Sequence, residues 1–234
     1  MKQPLNQPFA VKDLFLPGLT AAWPICLGYI PIGLAFGVLA QKAGLGVVEI
    51  AMMSIFVFAG SSQFIAVSML AAGANVVSII LTTFMVNLRH LLMSSSLAVF
   101  LHGARPAKLS LYAYGVTDES FVVNYSRFKQ GDWSLNKALV VNHTANTTWI
   151  LSTVAGGISG RFIPEHALGI DYALIAMFIG LLVFQCKGKK YIVTAAIAGV
   201  SAVIISLFIP GNAYIILASI IAATLGVVFK RQFR

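Results

Sequence analysis

The 234 residues are 59% hydrophobic and 10% charged, with a mean hydropathy of +0.88. A chain of this size has too little interior to hide such an apolar excess from water, which argues against a soluble globular enzyme; disordered, collagenous and disulfide-stapled classes are excluded. Sixteen Lys and Arg against seven Asp and Glu give a formal charge of +9, but the basic residues gather at the ends of apolar runs, a pattern that suits an anionic membrane surface and not nucleic acid.

In chain order, Lys2 and Lys12 precede a first apolar run over 18–40. It is long enough to cross roughly 30 Å of hydrocarbon, and no A-x-A-type site closes it, so a retained first helix is expected and not a signal peptide. Pro24 and Pro31 within it are tolerable where neighbouring helices re-satisfy the freed carbonyls. Further candidate spans are 50–72, 75–101, 136–157, 170–186, 191–209 and 212–229. Two stretches carry no formal charge, Ile50 to Leu88 and Tyr191 to Phe229. Each is too long for one crossing, and they divide near Gly73-Ala74-Asn75 and at Pro210-Gly211-Asn212.

The segment 109–126 is apolar but contains Asp118 and Glu119. Eight spans follow if it crosses, and six full spans with a re-entrant segment at 50–72 follow if it does not. With Lys187, Lys189, Lys190, Lys230, Arg231 and Arg234 on the side of Lys2 and Lys12, either count puts both termini in the cytoplasm. The expected fold is an all-α polytopic membrane protein of 6–8 transmembrane segments, one membrane domain over 1–234, with a broken or re-entrant helix near Gly60–Gln63. Cys26 and Cys186 form no CxxC or Cys/His set, so neither metal nor disulfide is implied, and no cofactor fingerprint is present.

Chemistry is concentrated in four places. Gly60-Ser61-Ser62-Gln63 sits inside an apolar run. At a helix break the Gly permits unwinding, Ser and Gln can accept from freed N–H groups, and a half-helix N-terminus suits a carboxylate. The other reading is close helix packing through Gly and Ser. Asn87, Arg89 and His90 lie between apolar runs, where a guanidinium in lipid costs about 3 kcal/mol or more and must face an interior with a partner; the alternative is snorkelling near an interface. Asp118 and Glu119 are the expected partners of Arg89 and candidate cation or proton sites. Equally, Thr117 can cap a helix with these acids in its first turn and Arg127 and Lys129 in its last. Asn142, His143, Asn146, Thr147 and Thr148 run toward Trp149, with Asn142 and Asn146 sharing one face. Gly156, Gly157 and Gly160 read as packing residues, and the last two spans as scaffold. Gly157-Ile158-Ser159-Gly160 also matches a short intramembrane serine-protease signature with His143 or His166 as base, a weak match in a Gly/Ser-rich chain.

The ordered set G-S-S-Q-F, N-L-R-H-L-L-M-S-S-S-L-A, T-D-E-S-F and W-I-L-S-T-V-A-G-G resembles the AzlC family of bacterial branched-chain amino acid permeases, which includes valine exporters of the YgaZ type. The likeness covers roughly residues 10–230, with N-L-R-H its most specific element. It implies multi-pass residence in the bacterial cytoplasmic (inner) membrane, export of branched-chain amino acids, and a small membrane partner subunit of the AzlD type. A zwitterionic substrate then asks for donors from Ser61, Ser62, Gln63 and Arg89, with Asn87, His90 and Trp149 beside them. Asp118 or Glu119 takes the ammonium or a coupling proton, and Phe58, Phe64 and Trp149 wall the pocket. A passive channel and a hydrolase using Ser159 are the alternatives.

Overall fold

The structure is a computed structural model that describes residues 11–163 and 188–208, together with 172, 179–180, 182–183, 186, 217–218, 221–222 and 224–226. The expected spans 170–186 and 212–229, the basic residues at 187 and 230–234, and His166 lie wholly or largely outside the described residues. All regular structure among the described residues is helical: α1 Val11–Lys42, α2 Val47–Phe56, α3 Gly60–Ala71, α4 Val76–Ala98, α5 Pro106–Tyr114, α6 Asp118–Gln130, α7 Leu135–Ser159, a 3-10 turn Gly160–Phe162, and α8 Lys189–Phe208. Leu14–Lys42, Val76–Ala98 and Tyr191–Phe208 are long and apolar enough to cross a membrane.

α1 runs unbroken through Pro17, Pro24 and Pro31. It lies along α7 with almost no side chain between the two backbones. A Cβ on Gly37 would sit 2.0 Å from the Thr153 carbonyl oxygen, and one on Gly156 would sit 2.2 Å from that of Leu34. This is the small-residue seam by which helices approach in lipid, where apolar side chains gain little from leaving one oily medium for another. The packing role expected of Gly156 and Gly157 is met here, and its partner is the Gly33-to-Gly37 step of α1.

α7 is the centre of the bundle: α1, α2, α5 and α6 all pack on it, and α3 and α4 pack on each other. Its buried face carries Asn142, Asn146, Trp149 and Thr153. The outer side of α4, with Val77, Ile80, Leu81, Phe84, Leu91 and Leu92, is exposed and apolar, as a lipid-facing surface must be.

Two helices are interrupted. The expected span 50–72 is α2 and α3 separated by residues 57–59, and segment 109–126 falls on α5 and α6 separated by residues 115–117. None of these four helices alone reaches the length of a crossing, so 109–126 is neither a single spanning helix nor a loop. Each break exposes backbone carbonyls that a distant side chain satisfies. The Tyr114 hydroxyl donates to the Ile55 carbonyl, and Asn142 Nδ2 donates to that of Tyr112 at 3.1 Å. Asn142 Oδ1 in turn accepts from Asn124, which accepts from the Trp133 indole.

Candidate functional site

The first break lies at Val57-Phe58-Ala59, just ahead of the expected position. Phe58 takes a φ of +36°, a left-handed conformation costing a non-glycine residue about 1–3 kcal/mol unless its surroundings hold it. Its side chain is buried, and the ring packs against those of Tyr29 and Tyr114. Gly60 is not the hinge. It is the first residue of α3, and its missing Cβ makes room for the Trp149 ring, which would lie 3.3 Å away. Nor do the serines and Gln63 cap the helix, as the sequence suggested: the cap residue Ala59 has no side-chain bond to offer. The first N–H groups of α3 are therefore left without a capping side chain.

Those polar side chains reach outward. Ser61 Oγ accepts from Arg89 Nη2. Ser62 Oγ donates to Asn87 Oδ1 at 2.5 Å. Gln63, fully buried, donates to Ser54 Oγ at 3.3 Å and accepts from Trp149 Nε1 at 2.9 Å. Ser54 and Thr153 share a further hydrogen bond of 2.8 Å. α3 is thus tied to α4 by two bonds and to α7 through the indole.

Arg89 is the crossing point. Its Nη1 stands 2.8 Å from Asp118 Oδ2 while Nη2 holds Ser61, so one guanidinium joins the first turns of both half-helices that follow the breaks. The pair is about three-quarters buried, at 28% and 25% side-chain exposure, which favours an interior position for Arg89 over snorkelling. The α6 terminus satisfies both readings of its sequence. Thr117 and Ser120 form a reciprocal capping box, and the acids of that first turn also enter the network. Asp118 takes the arginine. Glu119 Oε2 accepts from the Tyr29 hydroxyl at 2.7 Å, and that hydroxyl also lies 2.8 Å from Thr117 Oγ1.

The first turn of α3 thus carries three neighbouring bonded sets, Ser61–Arg89–Asp118, Ser62–Asn87 and Gln63–Trp149, and Glu119 reaches them through Tyr29, whose ring packs on Trp149. His90 stands beside these sets against the Val116 backbone, its Nε2 without a partner among the described residues, as are Arg89 Nε and Asn146 Nδ2. Phe64 and Trp149 both pack on Phe36; Phe58, Phe64 and Trp149, the expected pocket walls, are all buried in one core cluster and form no open wall here. Ser159 Oγ donates to the Ala155 carbonyl of its own helix at 2.6 Å, so the hydrolase alternative finds no serine held by a base among the described residues. Sequence reasoning missed Tyr29, Ser54 and Thr153. Tyr29 carried a signal, a phenol in mid-run between Pro24 and Pro31. Ser54 and Thr153 carried none beyond being polar. No group of three or more His, Cys, Asp or Glu suited to a metal occurs among the described residues.

The indole–amide bond gives a first expected outcome. Trp149→Phe removes the donor and leaves the buried Gln63 oxygen unpaired, at about 1–3 kcal/mol. The Tm of the purified protein in detergent is expected to fall, and Gln63→Met in the same background to recover part of the loss. An unchanged Tm for Trp149→Phe would show that the bond contributes nothing.

Comparison with known proteins places this geometry. A family model described as AzlC protein matches residues 24–163, which include α2 to α7 and all the network above. The chain is 30% identical over 218 residues to Inner membrane protein YgaZ of Escherichia coli, covering 90% of this chain and 89% of that one. It is 31% identical over 228 residues to Branched-chain amino acid transport protein AzlC of Bacillus subtilis, covering 95% and 87%. An uncharacterized membrane protein of Archaeoglobus fulgidus is 30% identical over 189 residues, covering 80% and 81%. No solved structure matches the chain.

Proposed function

We propose a function from one plain premise: this chain belongs to the AzlC family and is a multi-pass membrane protein. It is a secondary transporter that exports branched-chain amino acids such as valine across the bacterial cytoplasmic membrane, coupled to protons and assembled with a small AzlD-type membrane subunit. The observation that carries this reading is the Arg89 guanidinium, which joins the opening turns of two interrupted helices inside an apolar envelope. Interrupted helices with open N-terminal turns are how membrane carriers present donors to a carboxylate, and the name of the Bacillus subtilis relative supports the substrate class.

A zwitterion needs three things of this site. The first N–H groups of α3, which no side chain caps among the described residues, and the Arg89 guanidinium offer donors to the carboxylate. Asp118 offers an acceptor to the ammonium. Phe58 and Trp149, on either side of Tyr29, are buried in this state and offer apolar surface to a branched side chain once the half-helices part. Substrate entry then exchanges the internal Arg89–Asp118 pair for two pairs of the same signs, so no net charge is added to the membrane interior. This exchange frees α4 from α6 and gives the two half-helix ends a reason to move. Counterflow of labelled valine into valine-loaded proteoliposomes, with and without the small subunit, tests the reading. A carrier gives transient accumulation of label above equilibrium and a passive channel gives none; absence of counterflow in both preparations would overturn it.

A further inference from the structure

The two neighbouring carboxylates at the start of α6 are held in different ways. Asp118 is paired with a permanent cation, Arg89, at 2.8 Å. Glu119 is turned toward α1, where its partner is a neutral phenol, Tyr29, at 2.7 Å. Among the described residues the ion pairs are Arg89–Asp118 and Lys137–Asp132, so Glu119 has no cation to balance it. One guanidinium and two partly buried carboxylates among the described residues leave one negative charge over, and a zwitterionic substrate does not cancel it. A proton does.

We propose that Glu119, positioned by Tyr29, is the group that takes up and releases the coupling proton, while Asp118 serves as the charge partner of Arg89 and of the substrate. This rests on the transporter reading above and divides two roles within it. The step is a simple protonation. A proton from one side of the membrane adds to a Glu119 carboxylate oxygen, the Tyr29 phenol keeps its own proton, and release to the other side restores the carboxylate.

The geometry says what this changes. A phenol bonds an ionised carboxylate more strongly than a neutral acid, so protonation loosens the tie between α1 and the first turn of α6. Tyr29 is buried, and its ring lies edge-on to Trp149 with centroids 5.3 Å apart. The same indole holds Gln63 at the start of α3. The state of Glu119 is thereby felt by a residue that fixes the other half-helix. Among the described residues, no titratable group around Glu119 other than Tyr29 is hydrogen-bonded or ion-paired to its carboxylate. Arg89 is committed to Asp118 and Ser61, His90 of α4 lies at the Val116 backbone, and on α7 Lys137 is turned to Asp132 and the Trp133 ring. The buried Nε2 of His143 on α7 has no hydrogen-bond partner among the described residues.

The test separates exchange from accumulation in proteoliposomes of the full chain. Wild type is expected to exchange valine at equal pH and to accumulate it against its gradient when a pH difference is imposed. Glu119→Gln keeps the size and loses the carboxyl. It is expected to lose pH-driven accumulation and substrate-dependent proton movement, read by a trapped pH dye, while still exchanging valine in a manner no longer dependent on pH. Tyr29→Phe is expected to exchange and accumulate with a displaced pH profile, and Asp118→Asn to lose exchange itself. Glu119→Gln that still accumulates valine on a pH difference overturns the assignment and leaves the transporter reading standing. Loss of exchange in both Glu119→Gln and Tyr29→Phe overturns it too, because the pair would then belong to the substrate site or the fold. Should Glu119→Gln fail to insert, an unaltered pH profile in Tyr29→Phe overturns it. Wild type that does not exchange at all is a failure of the transporter reading instead.

Discussion

Arg89→Ala is expected to abolish valine counterflow, and Arg89→Lys to recover little of it. The arginine makes two bonds in different directions, to Asp118 on α6 and Ser61 on α3, and a lysine ammonium lacks the planar fork that does both at once. Two effects add. The carboxylate of a substrate loses its cation, and Asp118 is left as an unpaired acid in an apolar interior. For a fully buried pair that second term is about 3–5 kcal/mol; at roughly a quarter exposed it is smaller. The double variant Arg89→Ala with Asp118→Asn separates them, since it removes the stranded charge without restoring the donor. Its Tm is expected to rise above that of Arg89→Ala while counterflow stays absent. If the double variant transports valine like wild type, the pair serves only to hold α4 against α6, and the assignment of substrate binding to it is wrong.

Among the described glycines, Gly37→Ala should be the most damaging added methyl, with Gly156→Ala close behind. The added carbon has backbone, not a yielding side chain, within 2.0 Å in one case and 2.2 Å in the other, so α1 and α7 must part. Overpacking costs typically 1–3 kcal/mol and occasionally more, an approximate range taken largely from side chains that can shift; a backbone contact at this distance belongs at or above its upper end. Because α7 carries Trp149 and α1 carries Tyr29, the separation also disturbs the network. Gly28→Ala is the matched control: it lies in the same helix with nothing within 4 Å of the new carbon, and its Tm should equal or slightly exceed that of wild type. Equal Tm values for Gly28→Ala and Gly37→Ala would remove the case for a close backbone seam.

Much of this was legible in the residues. The long helices follow from length and apolarity, which report directly on the solvent around a segment. Expected bounds of 75–101, 136–157 and 191–209 compare with observed Val76–Ala98, Leu135–Ser159 and Lys189–Phe208. The break near Gly60 was legible because polar side chains inside an apolar run need a reason. Its chemistry was not: the sequence suggested that Gly60 unwinds and the serines cap, whereas Phe58 takes the unusual backbone angle and the serines bond α4. The second break, at residues 115–117, was hidden. A stretch with two acids reads equally as a capped surface helix or a charged span, and only the fold turns its first turn toward Arg89.

The sequence by itself determined the solvent, the helical class, the long helices and the short list of side chains that lipid cannot leave alone, because the cost of burying a polar group depends mainly on what the group is. It also carried the family, through the order of its motifs. The tertiary structure decided which of those side chains meet. Pairing Arg89 with Asp118 and not Glu119, handing Glu119 to Tyr29 some 90 residues away, and seating Gln63 under an indole on α7 all depend on the direction in which each helix presents its face. Hydrogen bonds hold over about 3 Å, so a turn of one helix past another changes every partner while leaving composition and hydropathy untouched.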